Sequence, residues 1–156
     1  MTRMIRSKML IAAIVAVAGG LVACAAQAKD YITTPETQAR AYSLAVVGDH
    51  TAKTVYFAGQ TGRLDAQGKP IMDFDNQARR VFTKIRETLK KSGGDLSDIA
   101  SMTVFITDVR NGRHFADIRK EFFPDGKFPG SALITVDGLM DQAQIEIQGI
   151  AVVDGK

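Results

Sequence analysis

The sequence is poor in residues that build covalent or metal-based frameworks. Its 156 residues include one cysteine, Cys24, and two histidines, His50 and His114. A single cysteine excludes an intrachain disulfide framework and a zinc site built on several thiolates. Neither histidine has a cysteine or a second histidine at ligand spacing, so we expect no metal site and no cofactor.

Proline is scarce and tryptophan is absent, while hydrophobic residues make up 46% of the chain and charged residues 24%. This composition excludes a disordered or collagen-like protein. The formal net charge is +3, but residues 1–28 contain no acidic residue and three basic ones, Arg3, Arg6 and Lys8. Without these three, 17 basic residues remain against 17 acidic ones. The neutral remainder argues against nucleic acid as a partner.

The first 28 residues have the layout of a bacterial-type export signal. The basic start is followed by an apolar run at 9–23, which is shorter than the roughly 20 residues that a transmembrane helix needs. Two cleavage sites follow. Ala26-Gln27-Ala28 predicts cleavage before Lys29 and a signal peptide at 1–28, whereas Leu21-Val22-Ala23-Cys24 resembles a lipobox, with a signal at 1–23 and lipidation of Cys24. Either site predicts an exported, periplasmic domain, with membrane attachment only through Cys24.

Residues 29–156 are predicted to form one α/β (α+β) domain. A polar arm at 29–41 precedes two short strands, at 43–47 and 54–58, which we expect to form a hairpin. The remaining predicted elements are a helix at 73–92, a strand at 99–107, a helix at 111–123 and strands at 132–136 and 144–153. The order β-β-α-β-α-β-β predicts a mixed sheet with both helices on one face. Apolar residues on the other face predict an oligomer.

The chain resembles the Rid family, also called the YjgF-like or reactive intermediate deaminase family. The resemblance covers nearly all of residues 42–153, and no single motif carries it alone. The matching stretches are Val55-Tyr-Phe-Ala-Gly-Gln-Thr-Gly62, Leu89-Lys-Lys-Ser-Gly-Gly94, 96–108, Phe122-Phe123, Phe128-Pro-Gly-Ser-Ala-Leu-Ile-Thr-Val136 and Ile145-Glu-Ile-Gln-Gly-Ile-Ala-Val152. The resemblance implies a chorismate-mutase-like fold and a homotrimer with ligand clefts between subunits.

The resemblance also implies roles for particular residues. Glu146 matches a glutamate that positions the attacking water when the family hydrolyses enamines and imines, and Tyr42 matches a tyrosine that lines the cleft. Ser131, Leu133 and Gly59 are predicted to contact the substrate. Ser131 stands where the deaminase branch has an arginine that binds the substrate carboxylate. A serine hydroxyl does not replace a charged bidentate donor, so activity on 2-imino acids is expected to suffer.

Three functions follow from these observations. The first is a hydrolase or deaminase of small enamine- or imine-type metabolites, and the second is a non-catalytic, small-ligand binding protein of the periplasm. The third, an endoribonuclease as attributed to some relatives, is disfavoured by the neutral charge of residues 29–156.

Overall fold

The computed structural model describes residues 29–48 and 51–154. Within these residues the strands are β1 (Lys29–Ile32), β2 (Ala45–Gly48), β3 (Lys53–Thr61), β4 (Ile99–Ile106), β5 (Gly130–Thr135) and β6 (Ile145–Val153). The α-helices are α1 (Pro35–Ala39), α2 (Phe74–Lys90) and α3 (Gly112–Phe122). Short 3-10 turns lie at Leu96–Asp98, Val109–Asn111 and Met140–Gln142.

Four strands form a mixed sheet in the order β3-β6-β4-β5. β4 and β5 run parallel, whereas β6 is antiparallel to both β3 and β4. β4 alternates as the sequence predicts, with Met102, Val104 and Ile106 buried and Ser101 exposed. The mixed sheet with few helices confirms the predicted fold class.

Both long helices pack on the core side of the sheet. The Asp73 carboxylate caps α2 by accepting a hydrogen bond from the Asn76 N–H, and the buried stripe of α2 is Ala78, Val81, Phe82, Ile85 and Leu89. Phe82 joins the two helices, because its ring lies 4.6 Å from that of Phe122 and 5.9 Å from that of Phe115. These rings and the buried side chains of β4 and β6 form one core cluster.

The predicted hairpin between the first two strands is wrong. β2 pairs with β1, with Lys29 opposite Gly48 and Ile32 opposite Ala45, in a separate two-stranded sheet. The predicted polar arm therefore contributes a strand, and it also contributes α1. The Lys29 ammonium is buried. The cost of burying it is offset because it donates to the carbonyl oxygens of Ser97 (2.9 Å) and Val152 (3.2 Å) and pairs with Asp98.

The other face of the four-stranded sheet carries exposed apolar side chains. Tyr56 on β3 is 78% exposed and Ile134 on β5 is 43% exposed. The register of β3 against β6 shifts by one residue between Phe57 and Gln60, which is the mark of a β-bulge beside Gly59. Among residues 29–48 and 51–154, no helix combines the length and apolarity that a membrane span requires.

Candidate active site

A cavity of about 590 Å3 lies where α3, β5 and the segment after α1 meet. It brings together three of the residues that the sequence predicts for the site, Tyr42, Ser131 and Leu133. α3 contributes the opposite wall with Gly112, Phe115, Ala116 and Arg119. Ligand sites of small molecules usually occupy about 300–1,000 Å3, so this cavity is large enough for a small metabolite.

Backbone contacts fix the segment that carries Tyr42. Ala41 has a positive φ of 60°, which turns the chain sharply out of α1. The Tyr42 N–H then donates to the Thr37 carbonyl oxygen (3.0 Å), and the Ser43 N–H donates to the Pro129 carbonyl oxygen (3.2 Å). The buried Ser43 hydroxyl also donates to the Phe128 carbonyl oxygen. These bonds hold Tyr42 beside the start of β5 and so beside Ser131.

Arg119 is a buried cation in the wall of this cavity, with only 5% of the residue exposed. One terminal nitrogen donates to the Ser131 Oγ at 2.9 Å, and the other donates to the Arg40 carbonyl oxygen at 2.9 Å. The guanidinium carbon lies 5.0 Å from the centroid of the Phe115 ring. This cation–π contact holds the charged group over the aromatic face.

No carboxylate pairs with Arg119 in the part of the chain that the structure describes, and its Nε lacks a hydrogen-bond acceptor there. Burial lowers the pKa of Arg119 from 12.5 to about 10, an effect that a negative charge on Tyr42 would oppose. A buried charge is normally paired, since leaving it unpaired is costly. Arg119 departs from that rule.

Glu146 lies apart from the cavity, on β6. It is half-buried, and its side chain crosses Gly59 so closely that a Cβ at residue 59 would lie 2.0 Å from the Glu146 Oε1. Glycine is therefore required at this point of β3 if the carboxylate is to keep its place. The two predicted site residues Glu146 and Gly59 thus lie together.

The cavity and Glu146 lie on opposite faces of the sheet in one chain. Ser131 is opposite Met102, whose side chain belongs to the core face, whereas Glu146 is opposite Phe105, which alternates to the other face. Paired residues on neighbouring strands project to the same side. The predicted site residues therefore form two groups, one with Tyr42 and Ser131 and the other with Glu146.

Comparison with known proteins identifies the family. A family model described as endoribonuclease L-PSP matches residues 32–153. The chain belongs to this family, which is also called the YjgF or Rid family. A Bos taurus protein named 2-iminobutanoate/2-iminopropanoate deaminase is 32% identical over 112 residues, which are 71% of this chain and 79% of that protein.

Solved Rid-family structures have the same fold. The crystal structure of YyfB from Yersinia pestis, a Rid-family protein of unknown function, has a TM-score of 0.71 and 20% identity over 81% of this chain and all of that chain. Escherichia coli TdcF with bound serine has a TM-score of 0.61 and 28% identity, over 72% of this chain and 88% of that chain.

Arg119 is the residue at the cavity that sequence reasoning missed. The apolar stripe of α3 consists of Phe115, Ile118 and Phe122, and Arg119 lies four residues after Phe115, on the same helical face. A charged residue inside a buried stripe was therefore the available signal.

Two groups of predicted residues remain outside this geometry. Cys24 and both cleavage sites lie outside the described residues, so lipidation and export stay predictions, and so does any role of His50. His114 is on α3, 3.6 Å from the Asp75 carboxylate at the surface. Residues 29–48 and 51–154 contain no group of three His, Cys, Asp or Glu side chains that could hold a metal ion.

Proposed function

We propose that this Rid-family protein hydrolyses small imines or enamines to carbonyl compounds and ammonia. The observation that carries the proposal is the convergence of Tyr42, Ser131 and Leu133 on one cavity of ligand size. Relatives named 2-iminobutanoate/2-iminopropanoate deaminase, at 32% and 31% identity, support the class of reaction. The proposal includes export of the protein to the periplasm. Attachment to the membrane through a lipid on Cys24 is one of its two alternatives.

The complete site is proposed to form between copies of the chain, in a homotrimer. A second copy would bring its Glu146 to the cavity, which a single chain does not do because the two lie on opposite sheet faces. The exposed apolar face that carries Tyr56 and Ile134 supplies the surface for such an assembly. Closed symmetric assemblies of identical chains are the usual outcome of such a surface.

The proposed reaction adds one water across the carbon–nitrogen double bond of an imine; an enamine first reaches this form by moving a proton from its nitrogen to its β-carbon. Glu146 accepts a proton from the water as its oxygen bonds to the imine carbon, and the nitrogen is protonated, which gives a carbinolamine. The amino nitrogen then takes up a second proton, and the carbon–nitrogen bond breaks with its electron pair remaining on the nitrogen, which leaves as ammonia. The hydroxyl group loses its proton to Glu146 as the carbonyl forms. No oxidant, reductant or cofactor is needed. Tyr42 would close the cavity around the substrate, and Ser131 would donate a hydrogen bond to its polar end.

The test is ammonia release from freshly generated 2-iminopropanoate, measured with the wild type and with Glu146→Gln. The variant keeps the shape of the side chain but loses its basicity, so we expect the enzymatic rate to fall by about 10²- to 10⁴-fold. Glu87→Gln is the matched control, because Glu87 is an exposed residue of α2 outside the cavity. Wild-type release no faster than that of Glu146→Gln would contradict the proposal.

The second candidate is a non-catalytic protein that binds small ligands. Its basis is Ser131 at the position where the resemblance implies an arginine. This candidate predicts that small ligands bind to the cavity and that no imine added to the protein releases ammonia faster than it does without the protein. The two candidates are separated by combining the ammonia assay with direct binding measurements on the same preparation.

A further inference from the structure

The cavity has an excess of positive charge. Its lining includes four basic side chains but only one carboxylate, that of Asp117, and the basic residues are Arg40, Arg113, Arg119 and Lys120. Two of these charges are balanced locally, since Lys120 pairs with Asp117 at 3.0 Å and Arg40 pairs with Glu36 at 3.3 Å. Arg119 has no such partner in residues 29–48 and 51–154. Its charge is also the least screened, because it is nearly fully buried.

The contacts of Arg119 leave it able to attract an anion. A guanidinium has five N–H donors, and within the described part of the chain it makes two hydrogen bonds, to Ser131 and Arg40. At Ser131 the hydroxyl oxygen accepts from Arg119, so its own hydrogen is free to donate to a ligand. The Arg119 guanidinium is thus hydrogen-bonded to the Ser131 hydroxyl group, and both groups line the same cavity.

An unpaired buried charge is costly, and residues 29–48 and 51–154 place no carboxylate on Arg119 to balance it. The packing of Arg119 over Phe115 and its two hydrogen bonds fix the orientation of the guanidinium but do not neutralise it. Perturbed charges of this kind beside a cavity are typical of functional sites. The missing counter-charge therefore belongs to something that enters the cavity.

We propose that Arg119 makes this cavity a binding site for small carboxylates, with Ser131 donating the direct hydrogen bond. Arg119, which projects from α3, thereby supplies the positive charge that residue 131 lacks. The inference rests on the proposed function and deepens it by assigning Arg119 as the residue that selects substrates with a carboxylate. Ligand binding tests it without any turnover.

The probes are pyruvate and its uncharged methyl ester, titrated calorimetrically into the full-length protein. We expect the wild type to bind pyruvate at least about tenfold more tightly than the ester, since a hydrogen bond to a charged group is stronger than a neutral one. Arg119→Met removes the charge and keeps an apolar stem. It should weaken pyruvate binding by about 10- to 100-fold and leave ester binding unchanged.

Two further variants separate charge from packing. Arg119→Lys keeps the charge but not the fork, so it should still prefer pyruvate to the ester while losing about 2- to 10-fold in affinity. Arg79→Met is the matched control, because it removes one charge from α2, where Arg79 is exposed and pairs with Glu121. It should bind both probes like the wild type. If Arg119→Met does not fold, the inference is tested by comparing the binding of pyruvate and of the ester to the wild type and to Arg119→Lys.

Four results would overturn the inference. The first three are a wild type that does not prefer pyruvate, an Arg119→Met variant that binds pyruvate as the wild type does, and an Arg119→Lys variant indistinguishable from the wild type in affinity. A change of oligomeric state in Arg119→Met with the preference for pyruvate retained would also overturn it, since Arg119 would then pair with a carboxylate of a second copy. Pyruvate binding through Arg119 without ammonia release would leave the inference standing and remove only the deaminase proposal.

Discussion

Replacing Arg119 by methionine is expected to stabilise the protein, although Arg119 is one of its most buried polar residues. Burial lowers the pKa of Arg119 from 12.5 to about 10. At about 1.4 kcal/mol for each pKa unit, this corresponds to roughly 3 kcal/mol of folding free energy lost in desolvating the cation. The guanidinium is charged at pH 7 in both the folded and the unfolded chain. The cost is therefore present in full at neutral pH and is relieved only as the pH rises above 10.

The substitution also removes favourable contacts. The hydrogen bonds to Ser131 and Arg40 are lost, at roughly 1 kcal/mol each, because both acceptors line the cavity, where water replaces the donor. The loss of the cation–π contact with Phe115 is offset because the thioether of the introduced methionine packs against the same ring. Subtracting the two lost hydrogen bonds from the relieved desolvation cost leaves a gain of about 1 kcal/mol in the free energy of unfolding. For a domain of this size this corresponds to about 3 °C in melting temperature.

The assay is urea unfolding of the wild type, Arg119→Met and Arg79→Met, followed by circular dichroism. Arg79→Met removes an exposed ion pair, so its free energy of unfolding should change by less than about 1 kcal/mol. The reasoning is refuted if Arg119→Met loses more than about 1 kcal/mol, because removing one member of a buried ion pair costs about 3–5 kcal/mol. Arg119 would then be a paired structural residue.

Three further predictions test the core, the Glu146 contact and the alkaline limit of stability. Phe82→Ala should lower the free energy of unfolding in urea by about 3–5 kcal/mol, because the fully buried ring packs against Phe115 and Phe122; a loss below about 1.5 kcal/mol would contradict this packing. Gly59→Ala should lower ammonia release by about 100-fold with little change in melting temperature, since the new Cβ would displace the Glu146 Oε1, and wild-type turnover would count against it. Burial, and then the carboxylates of Asp125 and Asp98, raise the pKa of Tyr31 to about 12. The contribution of Tyr31 to stability is therefore lost as the pH rises from about 10 to 12. Over this range the free energy of unfolding of the wild type should fall relative to that of Tyr31→Phe, and an ultraviolet titration of Tyr31→Phe should lack the latest phenolate component.

The sequence determined the helices and the central strands well, because local periodicity reports them directly. α2 is predicted at 73–92 and observed as Phe74–Lys90, with Asp73 as its cap. The alternation of β4 identifies its buried face correctly. In both elements the apolar side chains that produce the pattern are the ones that pack in the core.

Strand partners were not predictable in the same way. A run of β-type residues shows that a strand forms, but not which strand pairs with it, and nearness in sequence favoured β3 as the partner of β2. The observed partner, β1, is held in place by the bonds of Lys29 to Ser97 and Val152, which are distant in sequence. α1, by contrast, had a readable signal, since Pro35 follows its cap Thr34, and Thr34 and Thr37 form a reciprocal capping box.

The division of the site explains why the sequence named its residues without giving their arrangement. The resemblance predicts roles for Glu146 and Tyr42, but it carries no information about which of the predicted residues meet within one chain. The register of the sheet shows which of these residues share a face, because Ser131 pairs with Met102 on one face and Glu146 pairs with Phe105 on the other. A site completed by a second copy is consistent with every one of these contacts.

This division makes mixing of inactive variants a decisive experiment. If each cleft takes Arg119 from one copy and Glu146 from another, Glu146→Gln and Arg119→Met have complementary defects. Random mixed oligomers from co-expression at equal levels should then regain about one quarter of the wild-type clefts, because each residue is intact in half of the chains. If both residues act within one chain, every cleft carries one of the two substitutions and mixing restores nothing. Ammonia release at about 25% of the wild-type rate, against the low rates of each variant alone, would therefore establish both the shared cleft and the roles of its two charged residues.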